Sequence, residues 1–107
     1  MTISIQGFSE IDLRVAEIKA VEEHPDADKL LVLKIDAGDG EKQLVAGIKN
    51  HYSAEELVGK KIIVVNNLAP AVLRGVESQG MLLAARDGDK VVLLTTEKDV
   101  GPGSRVQ

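Results

Sequence analysis

Along residues 11–20, IDLRVAEIKA, the apolar side chains change phase. Ile11, Leu13 and Val15 alternate with Asp12 and Arg14; Ala16, Ile18 and Ala20 then take the opposite parity. Successive side chains on a strand point to opposite faces, so an inward set that changes parity signals a bulge or a bend. A long first strand that bends is what a small closed barrel needs, because one strand must then serve two sheets.

The remaining chain reads as short strands with turn signals about every 8–12 residues, the pattern of an all-β sandwich or barrel. A polar turn surrounds Pro25. Leu31, Leu33 and Ile35 mark a second strand that ends at Gly38-Asp39-Gly40, and Leu44, Ala46 and Ile48 mark a third. Ser53-Ala54-Glu55-Glu56 is a capping box, in which the serine hydroxyl and the glutamate carboxylate each satisfy a backbone N–H at a helix start. Gly59 closes that short helix. The unbroken apolar run Ile62–Val65 predicts a fourth strand buried on both faces. Met81–Ala85 and Val91–Leu94 predict a fifth and a sixth. Five main strands with a short helix between the third and fourth are the layout of an OB-fold five-stranded barrel. Another small β-barrel is the alternative. The whole chain, 1–107, reads as one domain, with the barrel over about 8–86 and a C-terminal β extension over about 87–107.

Composition limits what such a barrel does. No apolar run approaches the roughly 20 residues of a membrane helix, and MTISIQGFSE has no signal-peptide pattern. The chain has no cysteine, which excludes disulfides and thiolate chemistry and fits a cytoplasmic protein. The net charge is −4, unevenly spread: residues 1–28 hold seven acids and two bases, whereas residues 29–86 hold eight bases and six acids. A local basic face on an acidic molecule is compatible with this split. Phe8 and Tyr52 are the only aromatics. Binders of single-stranded nucleic acid stack bases on several rings, at about 1–3 kcal/mol each; a chain with two rings must read backbone and shape instead. No nucleophile motif, phosphate-binding glycine loop or histidine triad is present, so no enzymatic activity and no cofactor are expected.

Between the fourth and fifth strands lies NNLAPAVLRGVESQG, longer than the roughly two to five residues of a plain hairpin connection. Pro70 and Gly75 are expected to shape a rigid loop. Asn67, Arg74, Ser78 and Gln79 give it donors and a charge suited to a sugar–phosphate chain. The plainer alternative is that Asn67 and Ser78 only satisfy loop backbone groups, and that Met81 is core. His24, Asp26 and Asp28 alternate as metal ligands do, but Pro25 makes the segment a turn, and a solvated turn is the preferred reading.

Five stretches together carry a family resemblance: Ile11-Asp12-Leu13-Arg14-Val15, His24-Pro25-x-Ala27-Asp28-Lys29-Leu30, Val45-Ala46-Gly47-Ile48, Asn67-Leu68-x-Pro70 and Arg74-Gly75-Val76-Glu77-Ser78-Gln79-Gly80-Met81. The ordered set resembles the tRNA-binding domain found at the C-terminus of many methionyl-tRNA synthetases. The same domain occurs as a free-standing tRNA-binding protein or synthetase β subunit, and in endothelial monocyte-activating polypeptide II. The resemblance implies an OB fold, a homodimer, and binding to the outer corner of tRNA, with a methionyl-tRNA synthetase catalytic subunit as the partner it would serve. It places Asn67, Ser78 and Met81 at the tRNA surface and makes Lys29 a phosphate contact. Lys34 and Lys42 would line the same face, with Lys42 where the family often has arginine. Two departures stand out: Ala46 where the family has serine, and Ala69 and Ala71 where it has basic residues. Alanine substitution of Lys29, Arg74 or Ser78 is expected to weaken tRNA binding with little effect on stability. The rival reading is a chaperone-like or protein-interaction dimer on the same barrel, which an acidic chain with alanines in the loop also suits.

Overall fold

The computed structural model describes residues 1–107. In chain order its elements are α1 (Ile5–Ser9), β1 (Leu13–Glu23), β2 (Leu31–Asp36), β3 (Glu41–Ala46), α2 (Ala54–Leu57), β4 (Lys61–Val65), β5 (Ala71–Leu73), β6 (Val76–Ser78), β7 (Met81–Leu82), β8 (Ala84–Asp87), β9 (Lys90–Leu93) and β10 (Arg105–Val106). The main sheet runs β3-β2-β1-β4-β7, all antiparallel, and curls into a nearly closed five-stranded barrel with α2 between β3 and β4.

β1 is the strand that serves two partners. Leu13–Glu17 pair with β4, and Glu17–Glu23 pair with β2. Val15 and Ala16 are both buried, so the phase change falls where the sequence places it. The ladder register shifts between Ile18 and Ala20, leaving Lys19 as the extra residue of a bulge. The bulge changes parity again: Ala20 is exposed, and Val21 packs against the core in its place.

The core is aliphatic. Ile18, Leu33, Leu44, Leu57 and Ile62 are at most 1% exposed, and Leu93 closes the cluster from the C-terminal segment. β4 is buried on both faces through Ile62, Ile63 and Val64. α2 starts with the expected capping box: Ser53 Oγ accepts the Glu56 N–H, and Glu56 Oε2 accepts the Ser53 N–H at 2.8 Å. The helix exists to deliver Leu57 to the barrel end. Gly59, at φ +91°, then donates its N–H to Ile18 O at 2.8 Å and returns the chain to β1.

The long connection is not a bare loop. β5 and β6 form a hairpin, Ala71↔Ser78 to Leu73↔Val76, around the two-residue turn Arg74-Gly75. Both turn residues have positive φ, 52° and 88°, the geometry of a type I′ turn whose twist matches that of paired strands.

Beyond β7, β8 and β9 form a second hairpin. Leu93 points into the core, while its neighbours Val92 and Leu94 remain 49% and 39% exposed, as strand alternation demands. The C-terminal segment then crosses back to the start of β1. Val15 N–H bonds Ser104 O, Gly103 N–H bonds Val15 O, and Leu13 faces Val106. That crossing passes the β2–β3 turn so closely that a Cβ on Gly38 would lie 2.6 Å from Gly103 Cα, and one on Gly103 2.9 Å from Gly38 Cα. Both glycines also hold positive φ. Gly103→Ala should therefore lose more than the roughly 1–2 kcal/mol of left-handed backbone strain. Gly40→Ala, which has positive φ but nothing within 4 Å of its would-be Cβ, should lose only that strain. Thermal denaturation should put Gly103→Ala several degrees below Gly40→Ala.

Candidate nucleic-acid interface

Two segments far apart in sequence meet at one end of β1. The turn after β1 carries Asp26, Ala27, Asp28, Lys29 and Leu30, and the β5–β6 hairpin carries Arg74; together they line a cleft of about 390 Å³. Lys29 and Arg74 are both exposed. The ion pairs of the molecule engage Arg14, Lys19, Lys42, Lys49 and Lys61, so neither cleft cation is neutralised by a paired carboxylate. Asp26 and Asp28 leave the cleft mixed in charge, which suits a ligand that offers hydroxyls as well as anionic oxygens.

The turn and the hairpin touch through His24, which is only 5% exposed. Its Nδ1 accepts the Asp26 N–H at 2.9 Å, and its Nε2 lies 3.0 Å from Leu73 O.

The other polar residues singled out in the sequence are engaged within the fold. Ser78 is 4% exposed; its Oγ accepts the buried Val45 N–H and donates to Gly80 O, each at 3.0 Å. Gln79 donates its N–H to Gln43 O at 2.7 Å, and its Oε1 accepts the Gln43 N–H at 3.0 Å. Asn67 donates from Nδ2 to Glu10 O and accepts the Asp12 N–H, which ties the loop to the segment after α1. Lys34 donates to Gln43 Oε1 across the β2–β3 ladder.

Lys42 belongs to a polar cluster on another part of the surface. Its Nζ bonds Asn66 Oδ1 at 2.7 Å and lies 3.7 Å from Asp39. Asn66 Nδ2 reaches both Asp12 and Asp39. Arg14 donates from Nε to both Asp12 oxygens at 3.1 Å and lies 3.6 Å from Asp39. The hydrogen bond from Arg14 holds the Asp12 carboxyl below its ordinary pKa, and that from Asn66 does the same for Asp39. Arg14 is thus an ion-pair partner of Asp12 and Asp39.

Met81 is 47% exposed and sits on the rim of an apolar groove of about 340 Å³ with Val45, Ala46, Ile48, Leu82 and Val91. Ala46 puts a methyl here where the resembling family has a hydroxyl. Sequence reasoning missed Asn66, whose amide side chain bonds Lys42, Asp12 and Asp39, and Gln43, whose amide side chain bonds Lys34 and Glu77 O; the adjacent Asn66-Asn67 pair was the available signal.

Residues 13–105 match the family described as "Putative tRNA binding domain". The chain belongs to this tRNA-binding family. It is 51% identical over 105 residues to the methionine–tRNA ligase of Thermococcus kodakarensis, a match covering 98% of this chain and 14% of that protein. The chain thus spans only a small part of the curated relatives it matches. The crystal structure of a MetRS-related protein from Pyrococcus horikoshii superposes with a TM-score of 0.93 at 38% identity, over 100% of this chain and 99% of that one. The CsaA chaperone protein of Picrophilus torridus superposes at 0.91 with 39% identity, over 99% and 100%.

In this tRNA-binding domain, burial separates residues that hold the loop from residues that face outward. Ser78→Ala would orphan the buried Val45 N–H and should lose about 1–3 kcal/mol of stability, contrary to the sequence-based expectation of little effect. Lys29→Ala and Arg74→Ala should stay within about 0.5 kcal/mol of the parent. Urea denaturation of the three variants distinguishes the two groups.

Proposed function

We propose that the chain binds the folded surface of tRNA without catalysing a reaction, gripping the sugar–phosphate backbone in the cleft between the Lys29 turn and the Arg74 hairpin. The observation that carries this reading is the pair of exposed, unpaired cations on separate segments lining one cleft. Gln79 and Met81 extend the contact along the neighbouring face. Lys34, Lys42, Asn67 and Ser78 contribute by holding strands and loop in place. With two aromatic rings in 107 residues, recognition goes through backbone and shape rather than base stacking. Structured tRNA should therefore outcompete a poly-pyrimidine strand in a mobility-shift titration. Lys29→Ala should weaken binding and lower the salt slope by about one; equal binding of both nucleic acids would defeat the shape-reading mechanism.

Within this reading, residues 1–107 act as one binding unit in the cytoplasm, raising the local tRNA concentration for a methionyl-tRNA synthetase catalytic unit. No helix is long and apolar enough to cross a membrane. A homodimer is part of the proposal. Ile3 and Ile5 are 70% and 79% exposed, and Val92 and Leu94 add apolar surface on the C-terminal segment. A two-fold interface would cover such groups and present two clefts to one RNA. Sedimentation equilibrium at micromolar concentration should give twice the 11.4 kDa chain mass; a monomer would remove the two-cleft arrangement.

Protein capture is the second reading, favoured by the apolar groove beside Met81 and by the likeness to a protein titled as a chaperone. Peptide retention insensitive to salt, with no salt-sensitive tRNA retention, would select it.

A further inference from the structure

We propose that His24 is the positioning residue of the tRNA cleft: its imidazole, held as the Nε2-protonated tautomer, fixes the Arg74 turn opposite the Lys29 turn so that both cations act on one stretch of backbone. This rests on the tRNA reading above.

The tautomer follows from the partners. Nδ1 accepts an amide N–H from Asp26 and therefore carries a lone pair. A neutral imidazole then has its proton on Nε2, where it donates to Leu73 O at 3.0 Å. The ring thus uses its two chemically distinct nitrogens on the two walls of the cleft. Asp26 is three residues before Lys29, and Leu73 immediately precedes Arg74. The His24 N–H also bonds Leu30 O, so the same residue closes its own turn across the segment that carries Lys29.

The hairpin has no alternative hold at this end. No other hydrogen bond connects residues 24–30 with residues 71–78. The remaining anchors engage the β6 side: Gln43 Nε2 to Glu77 O, Val45 N–H to Ser78 Oγ, and the Gln79–Gln43 pair. Ala71, Val72 and Leu73 are exposed along all of β5. Without the ring, the tip is free to pivot about β6 and to carry Arg74 away from Lys29. Burial removes the ring from direct contact with RNA, so His24 acts through the hairpin.

The two nitrogens can be tested apart. Glutamine keeps a donor near the Nε2 position, whereas asparagine keeps an acceptor near Nδ1 but cannot reach Leu73. Total-tRNA affinity, measured across a salt series, should be near that of the parent for His24→Gln. For His24→Asn it should fall by as much as for Arg74→Ala, with the salt slope lower by about one. The double variant His24→Asn/Arg74→Ala should be no weaker than Arg74→Ala alone. In parallel, backbone ¹⁵N order parameters at Arg74 and Gly75 should drop in His24→Asn and not in His24→Gln. Equal behaviour of the two variants, or additive losses in the double variant, would overturn the positioning role. If the parent itself shows no salt-sensitive tRNA binding, the functional reading fails, and the order parameters alone decide whether His24 sets the hairpin. Should either variant fail to fold, ¹⁵N imidazole shifts of the parent take their place: a proton on Nδ1 would refute the inference.

Discussion

The barrel depends on how its two outer strands are joined. β3 and β7 end the sheet order, and the backbone ladder does not run continuously between them. Ser78-Gln79-Gly80 fills that seam with a mixture of backbone and side-chain bonds. Gln79 pairs with Gln43, the Ser78 hydroxyl stands in for a strand partner at Val45, and Gly80, at φ +130°, passes so near β4 that a Cβ would sit 2.8 Å from Val65 O. An open seam would leave the amides of β3 as an unprotected edge. It would also leave the hairpin without its base. Fold and site therefore share one joint, which explains why a serine that looks like a ligand contact is buried.

Elements that obey a simple period were legible in the sequence. β2 begins and ends where alternation and the glycine turn put it, the capping box is present, and the change of phase at Val15–Ala16 marks the strand that serves two partners. Other elements obey no period. β5 and β6 have three residues each, and β5 is exposed throughout, so no inward-facing set marks them; the only local sign of a hairpin was Arg-Gly at its turn. β10 is two residues long and pairs Arg105 and Val106 with Arg14 and Leu13 at the other end of the sequence, which no local pattern encodes. Among the site residues, exposure of Lys29 and Arg74 followed from their polar context. The burial of Ser78 and the internal commitments of Asn67 and Lys42 did not, because those partners are contributed by remote strands.

Charge counts are a poor guide to this surface. Arg14 and Lys42 are absorbed by Asp12, Asp39 and Asn66, and Lys49 and Lys61 pair with Glu23 and Asp99. The Lys61 ammonium holds the Asp99 carboxyl below its ordinary pKa, so that pair stays ionised through neutral pH. What distinguishes the cleft is not an excess of cations, nor their lack of an ion pair, which Arg86, Lys90, Lys98 and Arg105 share, but that two such cations from separate segments line one cavity. Two carboxylates offset those two cations, so the cleft offers point contacts for anionic oxygens rather than a broad basic field, on a molecule whose net charge is −4.

The pairing of Leu13 with Val106 sets the two ends of the barrel chain side by side at the start of β1. The cleft begins at His24, just past the other end of that 11-residue strand. At about 3.3 Å per residue, up to roughly 35 Å of strand separates the two. Chain leading directly into Leu13 or out of Val106 passes through one corner, at the other end of β1 from the cleft. The barrel is thereby a socket with its wiring at the back: what happens at the Leu13–Val106 corner lies a strand's length from the proposed cleft.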